Sequence, residues 1–364
     1  MRWGLRIKGF VSLFNKSSAT SLSPSPAGSG CDRASDEPDR EFDQGCRIRR
    51  MHYLMRKVET DAADNNSLEA DRLDIMSALV VARENCRKDD IQQCRLFIQS
   101  VTALARFLGF RNEFDERVRW GKAALEVAER LNDDLAIAEL CASIIAWPLL
   151  QQGNHDEAKQ YSLRGLAAAQ RSGNSAIAAK WAGNAARTLS GIARDNMDGP
   201  DAYYWAEQAA TYARSCSDGI LIRGAELDFG YAALLRGDFL EAENRFRSLV
   251  EFEEKGHDEE RISNRSGDLA IAITNRAIRS HSDAEKFRLF EQVDVLIERG
   301  SSLAKKLNHP VMLGEGDIFR AVLARARGDE TEYLRLIRSG RRRFAEIGIR
   351  RKGRAEQFIS FPDL

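Results

Sequence analysis

No phosphate-binding loop of the form Gly-x-x-x-x-Gly-Lys-Ser/Thr occurs anywhere in this sequence, nor a His-Glu-x-x-His helix or a Gly-x-Ser-x-Gly elbow. The first absence excludes the phosphate cradle of an NTPase, and the others exclude two common linear signatures of hydrolases. An excess of one charge is missing too. Lys+Arg and Asp+Glu are both 55, so no whole-molecule field draws nucleic acid or an anionic membrane, and such a role needs a local patch. The six cysteines include no Cys-x-x-Cys pair and no histidine at ligand spacing. They are expected to be reduced thiols of a cytoplasmic protein, with Cys86, Cys141 and Cys216 acting as small hydrophobes in or beside apolar runs. Proline is scarce, 7 in 364 residues, and hydrophobic residues make up 43%, so most of the chain can bury enough apolar surface to order itself. No run of about 18 consecutive apolar residues marks a membrane span.

What is present is helical periodicity. From Ser67 onward, Leu68, Leu73, Ile75, Met76, Leu79 and Val80 mark one stripe, and Ile91, Cys94, Phe97, Ile98, Val101, Leu104 and Leu108 the next. No window of comparable length alternates with period two. Before this, residues 1–31 carry Arg2, Arg6, Lys8 and Lys16, no acid and seven serines. That stretch is expected to be a disordered leader or the remnant of an upstream segment, in preference to a targeting peptide.

Punctuation between the stripes is regular. Asn132-Asp133, Gly173-Asn174, Ser217-Asp218 and Asn308-His309 each follow an apolar helix and each marks a hairpin boundary, a left-handed cap followed by a helix start. Leu150-Gln151-Gln152-Gly153-Asn154-His155-Asp156-Glu157-Ala158 matches Leu234-Leu235-Arg236-Gly237-Asp238-Phe239-Leu240-Glu241-Ala242, and the turn recurs at Arg327-Gly328-Asp329-Glu330. The alanine marks the point where two helices of a hairpin approach closely and a bulkier side chain would overpack. Taking Leu125, Leu166, Ala210 and Val250 as equivalent gives a period near 40, longer than the standard tetratricopeptide repeat. The extra length is expected in longer helices and in loops such as Asp195 to Asp201. These features predict an all-α fold, a tetratricopeptide-like right-handed superhelix of about six helix hairpins. It should span residues 61–350, between a disordered or weakly ordered tail, 1–60, and a basic tail, 351–364.

The runs Leu68-Glu69-Ala70-Asp71-Arg72 and Ala105-Arg106-Phe107-Leu108-Gly109, followed by Glu116-Arg117-Val118-Arg119-Trp120, resemble the helical-repeat region that follows the nucleotide-binding module in signal-transduction NTPases of the STAND class. The resemblance covers roughly residues 67–255. It implies a sensor arm without the nucleotide switch, since the phosphate loop is missing.

No residue is assigned a catalytic, cofactor or metal role. Leu313-Gly314-Glu315-Gly316-Asp317 lacks the third glycine of a dinucleotide site and reads as a loop entering a helix. His155 and His257 each precede acidic residues, a pattern that could suggest metal ligands, but His155 falls at the repeat's usual aromatic turn position and both are read as structural. Trp147-Pro148 lies inside a helical run, where proline should kink the helix. Repeat geometry places the first helix of each pair on a concave face that takes extended peptides or partner helices. On that face the sequence nominates Trp147, Gln151, Lys180, Asn184, Arg187, Asp228 and Tyr231 for an unidentified protein or peptide partner. The alternative is an anionic partner, nucleic acid or an acidic protein tail, at Arg338, Arg341, Arg342, Arg343, Arg350 and Arg351, in a C-terminal window opposed only by Glu346.

Overall fold

The structure is a computed structural model, and it describes residues 37–60, 65–86, 90–173, 175–349 and 352–359. Contacts divide the chain into Met1–Cys46 and Arg47–Leu364. Among the described residues every regular element is a helix, and the fold is the tetratricopeptide-like right-handed superhelix that the repeats predict.

Three helices come first, α1 (Glu37–Thr60), α2 (Asn65–Ala70) and α3 (Arg72–Asn85). Six hairpins follow: α4 (Ile91–Phe110) with α5 (Phe114–Arg130), α6–α7 (Asp134–Glu139 and Ala146–Gln151) with α8 (His155–Arg171), and α9 (Ala176–Asp195) with α10 (Gly199–Cys216). Then come α11 (Gly219–Leu235) with α12 (Phe239–Lys255), α13 (Glu259–Arg279) with α14 (Asp283–Lys306), and α15 (Pro310–Ala326) with α16 (Glu330–Glu346). A short helix, α17 (Arg354–Phe358), ends the described chain. Two boundaries differ from expectation. Helix α1 begins inside the segment read as a tail, because Met51, Leu54 and Val58 share one face and are buried. Helix α17 lies inside the segment read as a basic tail, because Ala355, Phe358 and Ile359 are buried too.

The turns work as their residues suggest. Asn132, Gly153, Gly237, Asn308 and Gly328 all take positive φ, and after each one the next amide reaches back to the third-last helical carbonyl. Examples are Asp133 N to Ala128 O at 3.0 Å and Asp238 N to Ala233 O at 3.0 Å. This double closure satisfies carbonyls the helix end would otherwise orphan. The following Asp then caps the next helix: Asp133, Asp238 and Asp329 accept from Ala136, Glu241 and Glu332 amides. At Gly173 the cap is Ser175, whose hydroxyl accepts from Ala178 N, and not the neighbouring Asn174, which lies outside the described residues. The extra repeat length sits in helices, with α9 at 20 residues and α14 at 24.

Small residues stand where helices touch. A Cβ on Gly230 would meet the Phe246 ring at 2.3 Å, and one on Gly165 would come within 3.0 Å of Ala142 N. Ala158 and Ala242, the matched repeat positions, are fully buried. Two large apolar clusters result. One runs from Met51 to Ile192 and the other joins Phe114 to residues from Leu227 to Ile359, with alanine contacts such as Ala186, Ala209 and Ala225 between them. Each fully buried Leu or Phe in these clusters contributes about 1.5–3 kcal/mol.

Pro148 does not produce a simple kink. The preceding turn, Leu140–Ile145, widens into a π-helix, which relieves the clash between the proline ring and the carbonyl four residues back. The Arg117 Nη2 donates to the Ser143 carbonyl at 2.8 Å, so a carbonyl of the widened turn has a donor. Residues Asp134–Gln151 are apolar and long enough to pass for a membrane span by length and composition, although no single run in them is continuously apolar. Yet 61% of that stretch is buried, against α5, α8 and α9, as befits a core helix.

Candidate functional site

First helices of successive hairpins lie beside one another: α9 touches both α7 and α11, and α15 touches α13. They form one continuous face, the inner row of a repeat array. Of the seven residues nominated for it, four remain reachable. Trp147 on α7 is 38% exposed, packed edge-on against Phe114 and under the Arg117 guanidinium. Gln151 is half-buried at the end of α7. On α9, Lys180 lies 3.6 Å from Asp218 with its side chain 44% exposed and sits over Trp181, while Asn184 donates to the Lys180 carbonyl. Half-buried Glu139, facing Lys180 from α6, has its carboxyl pushed up by burial, against the pull of Lys180.

The other three belong to a network whose centre is buried, with Arg187 at its edge, its side chain 27% exposed. Arg187 Nε donates to Asp228 Oδ2 at 2.9 Å, and Asp228 is 5% exposed. Burial raises the Asp228 carboxyl above its ordinary range, against the opposing pull of Arg187 and Arg194. Tyr231 is 2% exposed; its hydroxyl donates to Asp268 Oδ1 at 2.5 Å, and Arg194 stacks over its ring. The expectation that Asp228 and Tyr231 face a partner is therefore corrected. Period 3.6 places both on the inner row, but Arg187 takes up Asp228 and Asp268 of the neighbouring first helix, α13, takes up the Tyr231 hydroxyl.

Asp268, which carried no signal in the repeat pattern, is the centre of this network. It is fully buried and accepts from Arg265 at 2.7 Å, from Tyr231 and from Arg354. Burial alone would raise its carboxyl, but Arg354 and Arg265 outweigh that and hold it below the ordinary value. Arg354 is held well above its ordinary value because Asp268, Tyr231 and Glu315 outweigh the effect of its burial. One sequence signal pointed here: an acid inside the apolar run Gly267-Asp268-Leu269-Ala270-Ile271 must be paired or neutral.

The arginine-rich set divides. Arg343 Nε reaches Asp317 Oδ2 at 2.8 Å and Arg341 pairs with Glu356. Arg338 and Arg342 are exposed, and neither is in an ion pair among the described residues. Arg350 and Arg351 lie outside the described residues. The Gly314-to-Gly316 stretch is not a loop but the interior of α15, where the missing Cβ of Gly314 leaves room for Phe344. Cys86 and Cys94 bring their sulfurs within 2.7 Å in the core, and burial pushes Cys86 up to about 12, so it stays a thiol. Among the described residues no group of three or more His, Cys, Asp or Glu side chains is placed to hold a metal ion.

No family model matches the chain, and no curated protein matches it. Solved structures do. The crystal structure of a Rap protein complexed with Competence and Sporulation Factor shares the fold at a TM-score of 0.56 and 15% identity, over 84% of this chain and 89% of that one. Aspartyl phosphate phosphatase F from Bacillus subtilis aligns at a TM-score of 0.50 and 13% identity, over 88% of each chain. At these identities the likeness is one of fold.

Proposed function

We propose that this chain is a non-catalytic interaction scaffold or sensor arm of the cytoplasm that binds a peptide or partner helix on its inner row of first helices. The observation that carries the reading is the open stretch formed by α7 and α9. There an aromatic anchor, Trp147, and Gln151 on α7 share a row with the polar side chains Lys180 and Asn184 of the adjoining α9, all partly exposed. An aromatic with nearby polar partners is the composition of a recognition surface. The Rap protein of like fold, described in complex with Competence and Sporulation Factor, supports the same use of this architecture. The sensor-arm form of the reading follows from the resemblance to STAND-class repeat regions, and a neighbouring reading frame encoding a nucleotide-binding module would support it.

The test is selection of a displayed random-peptide library on the full chain, followed by titration of the enriched peptides. Trp147→Ala combined with Lys180→Glu is expected to weaken them at least tenfold in a chain that stays folded, with a lowered unfolding midpoint because Trp147 also packs on Phe114 and Arg117. Enriched peptides that bind the double variant as tightly as wild type would overturn the reading.

A further inference from the structure

The C-terminal half of the inner row is already covered, and the covering group is the protein's own chain. After α16 the segment Lys352–Ile359 turns back across the first helices. Gly353 lies against Ile318 of α15, where a Cβ would meet Ile318 at 2.6 Å. Helix α17 packs on both α15 and α13. The Phe358 ring then stacks on Tyr231 of α11 at 5.0 Å, and Gln357 Nε2 donates to the Asp195 carbonyl at the end of α9, at 3.3 Å. One short segment thus touches the first helices of four successive hairpins.

Its contacts are those by which a groove reads a peptide. The Arg354 guanidinium pairs with Asp268. Main-chain groups are gripped by side chains of the face: the Arg354 amide donates to Glu315 Oε2 at 2.9 Å, and Asn275 Nδ2 donates to the Phe358 carbonyl at 2.8 Å. Phe358 is 5% and Ile359 6% exposed. A helix of 5 residues is too short to hold itself in water, so its form depends on the face beneath it.

The two polar groups at the centre of that face keep partners without the segment. If Arg354 departs, Asp268 keeps Arg265 at 2.7 Å and the Tyr231 hydroxyl, so that buried carboxylate is not left unpaired, and Glu315, which loses the Arg354 amide and guanidinium, is uncovered to solvent as the segment lifts. Asn275 Nδ2 also donates to the Ile271 carbonyl at 3.1 Å, and so keeps a partner. A pre-formed site filled by a short, locally unstable segment is a displaceable pairing.

We propose that Lys352–Ile359 is a built-in ligand that closes this half of the inner face, and that the partner it excludes is a peptide of the same chemistry. That peptide carries an arginine followed four residues later by a phenylalanine and then an aliphatic residue, on one helical turn. The inference rests on the reading of the inner face as a peptide site, and it adds which peptide fits and what competes with it.

The experiment uses the full chain and a fluorescein-labelled peptide of residues 352–359. Arg354→Glu with Phe358→Ala should undock the segment, and this variant should bind the labelled peptide at least tenfold more tightly than wild type does. Adding Asn275→Leu should remove the gain. Should the double variant unfold, Phe358→Ala alone serves. In wild type, a saturating isotopically heavy peptide should also speed hydrogen exchange at the chain's own 355–359 amides. Equal binding by wild type and variant, with those amides deprotected in the variant, would overturn the proposal. If library-selected peptides bind wild type and variant alike while the labelled peptide binds neither, the built-in ligand fails and the inner-face reading stands. If the variant binds the labelled peptide although wild type selects nothing from the library, the built-in ligand stands.

Discussion

Two buried arginines lie in opposite halves of the array and are held in opposite ways. Arg117 on α5 is 9% exposed; it has no ion pair among the described residues, and it is held by the Ser143 carbonyl and the face of Trp147 while its Nε has no hydrogen-bond partner. Burial alone acts on it and lowers it to about 10. Arg354 is comparably enclosed, its side chain 18% exposed, but it meets Asp268 and Glu315, and its charge is reinforced. In the first half, a buried charge repairs helix geometry around Pro148. In the second, buried charges determine where a separate segment docks. The difference shows that burial does not set the role of a charged group, because the groups facing it do.

The comparison can be broken most forcefully at Asp268. Asp268→Leu leaves Arg265 and the Tyr231 hydroxyl without their acceptor and Arg354 with Glu315 and Asn264 only, and a loss of about 3–5 kcal/mol is expected from denaturant unfolding. A loss below about 1 kcal/mol, the range of an exposed pair, would show that the network is hydrated.

A smaller effect sharpens the contrast through pH. The folded Asp268 carboxyl is depressed, so its stabilisation is present above the unfolded value, about 3.9, and is lost as pH falls through the folded one. Asp228, raised by burial, works with the opposite sign: it favours the fold while protonated and loses that contribution as pH rises through its folded value. Stability measured from pH 6 down to pH 3 should therefore fall less steeply in Asp268→Leu than in wild type. In Asp228→Asn the fall should be steeper, since the opposing contribution is gone. Parallel curves for all three proteins would contradict the assigned directions.

The smallest effect is expected at Arg117. Arg117→Met removes a buried charge that has no counter-ion and costs one carbonyl its donor, so the two changes offset and stability should move by no more than about 1 kcal/mol. A loss as large as that at Asp268 would mean that the two arginines are held alike after all.

Much of the fold was legible from residue types. Asn132, Gly153, Ser217, Gly237, Asn308 and Gly328 punctuate the chain because left-handed caps favour few residues, and Ala158 and Ala242 mark close helix contacts. The candidate face was legible only in part. Helical period puts Arg187, Asp228 and Tyr231 on the inner row, but whether a row is open depends on what crosses it. What crosses it comes from far along the chain: Gln357 reaches Asp195 across 162 positions and Asn275 reaches the Phe358 carbonyl across 83. Local pattern carries no information about such pairings. Arg354 accordingly reads, from sequence, as one more residue of a basic tail.

By itself the sequence determined that the chain is helical, where the hairpins turn, and which positions must be small, because these follow from backbone preference and from volumes matched at short range. Only the tertiary structure decided which charges are buried, which are paired, and that the C-terminal segment lies on the inner face. Those outcomes depend on desolvation and on partners that come together only when successive hairpins stack.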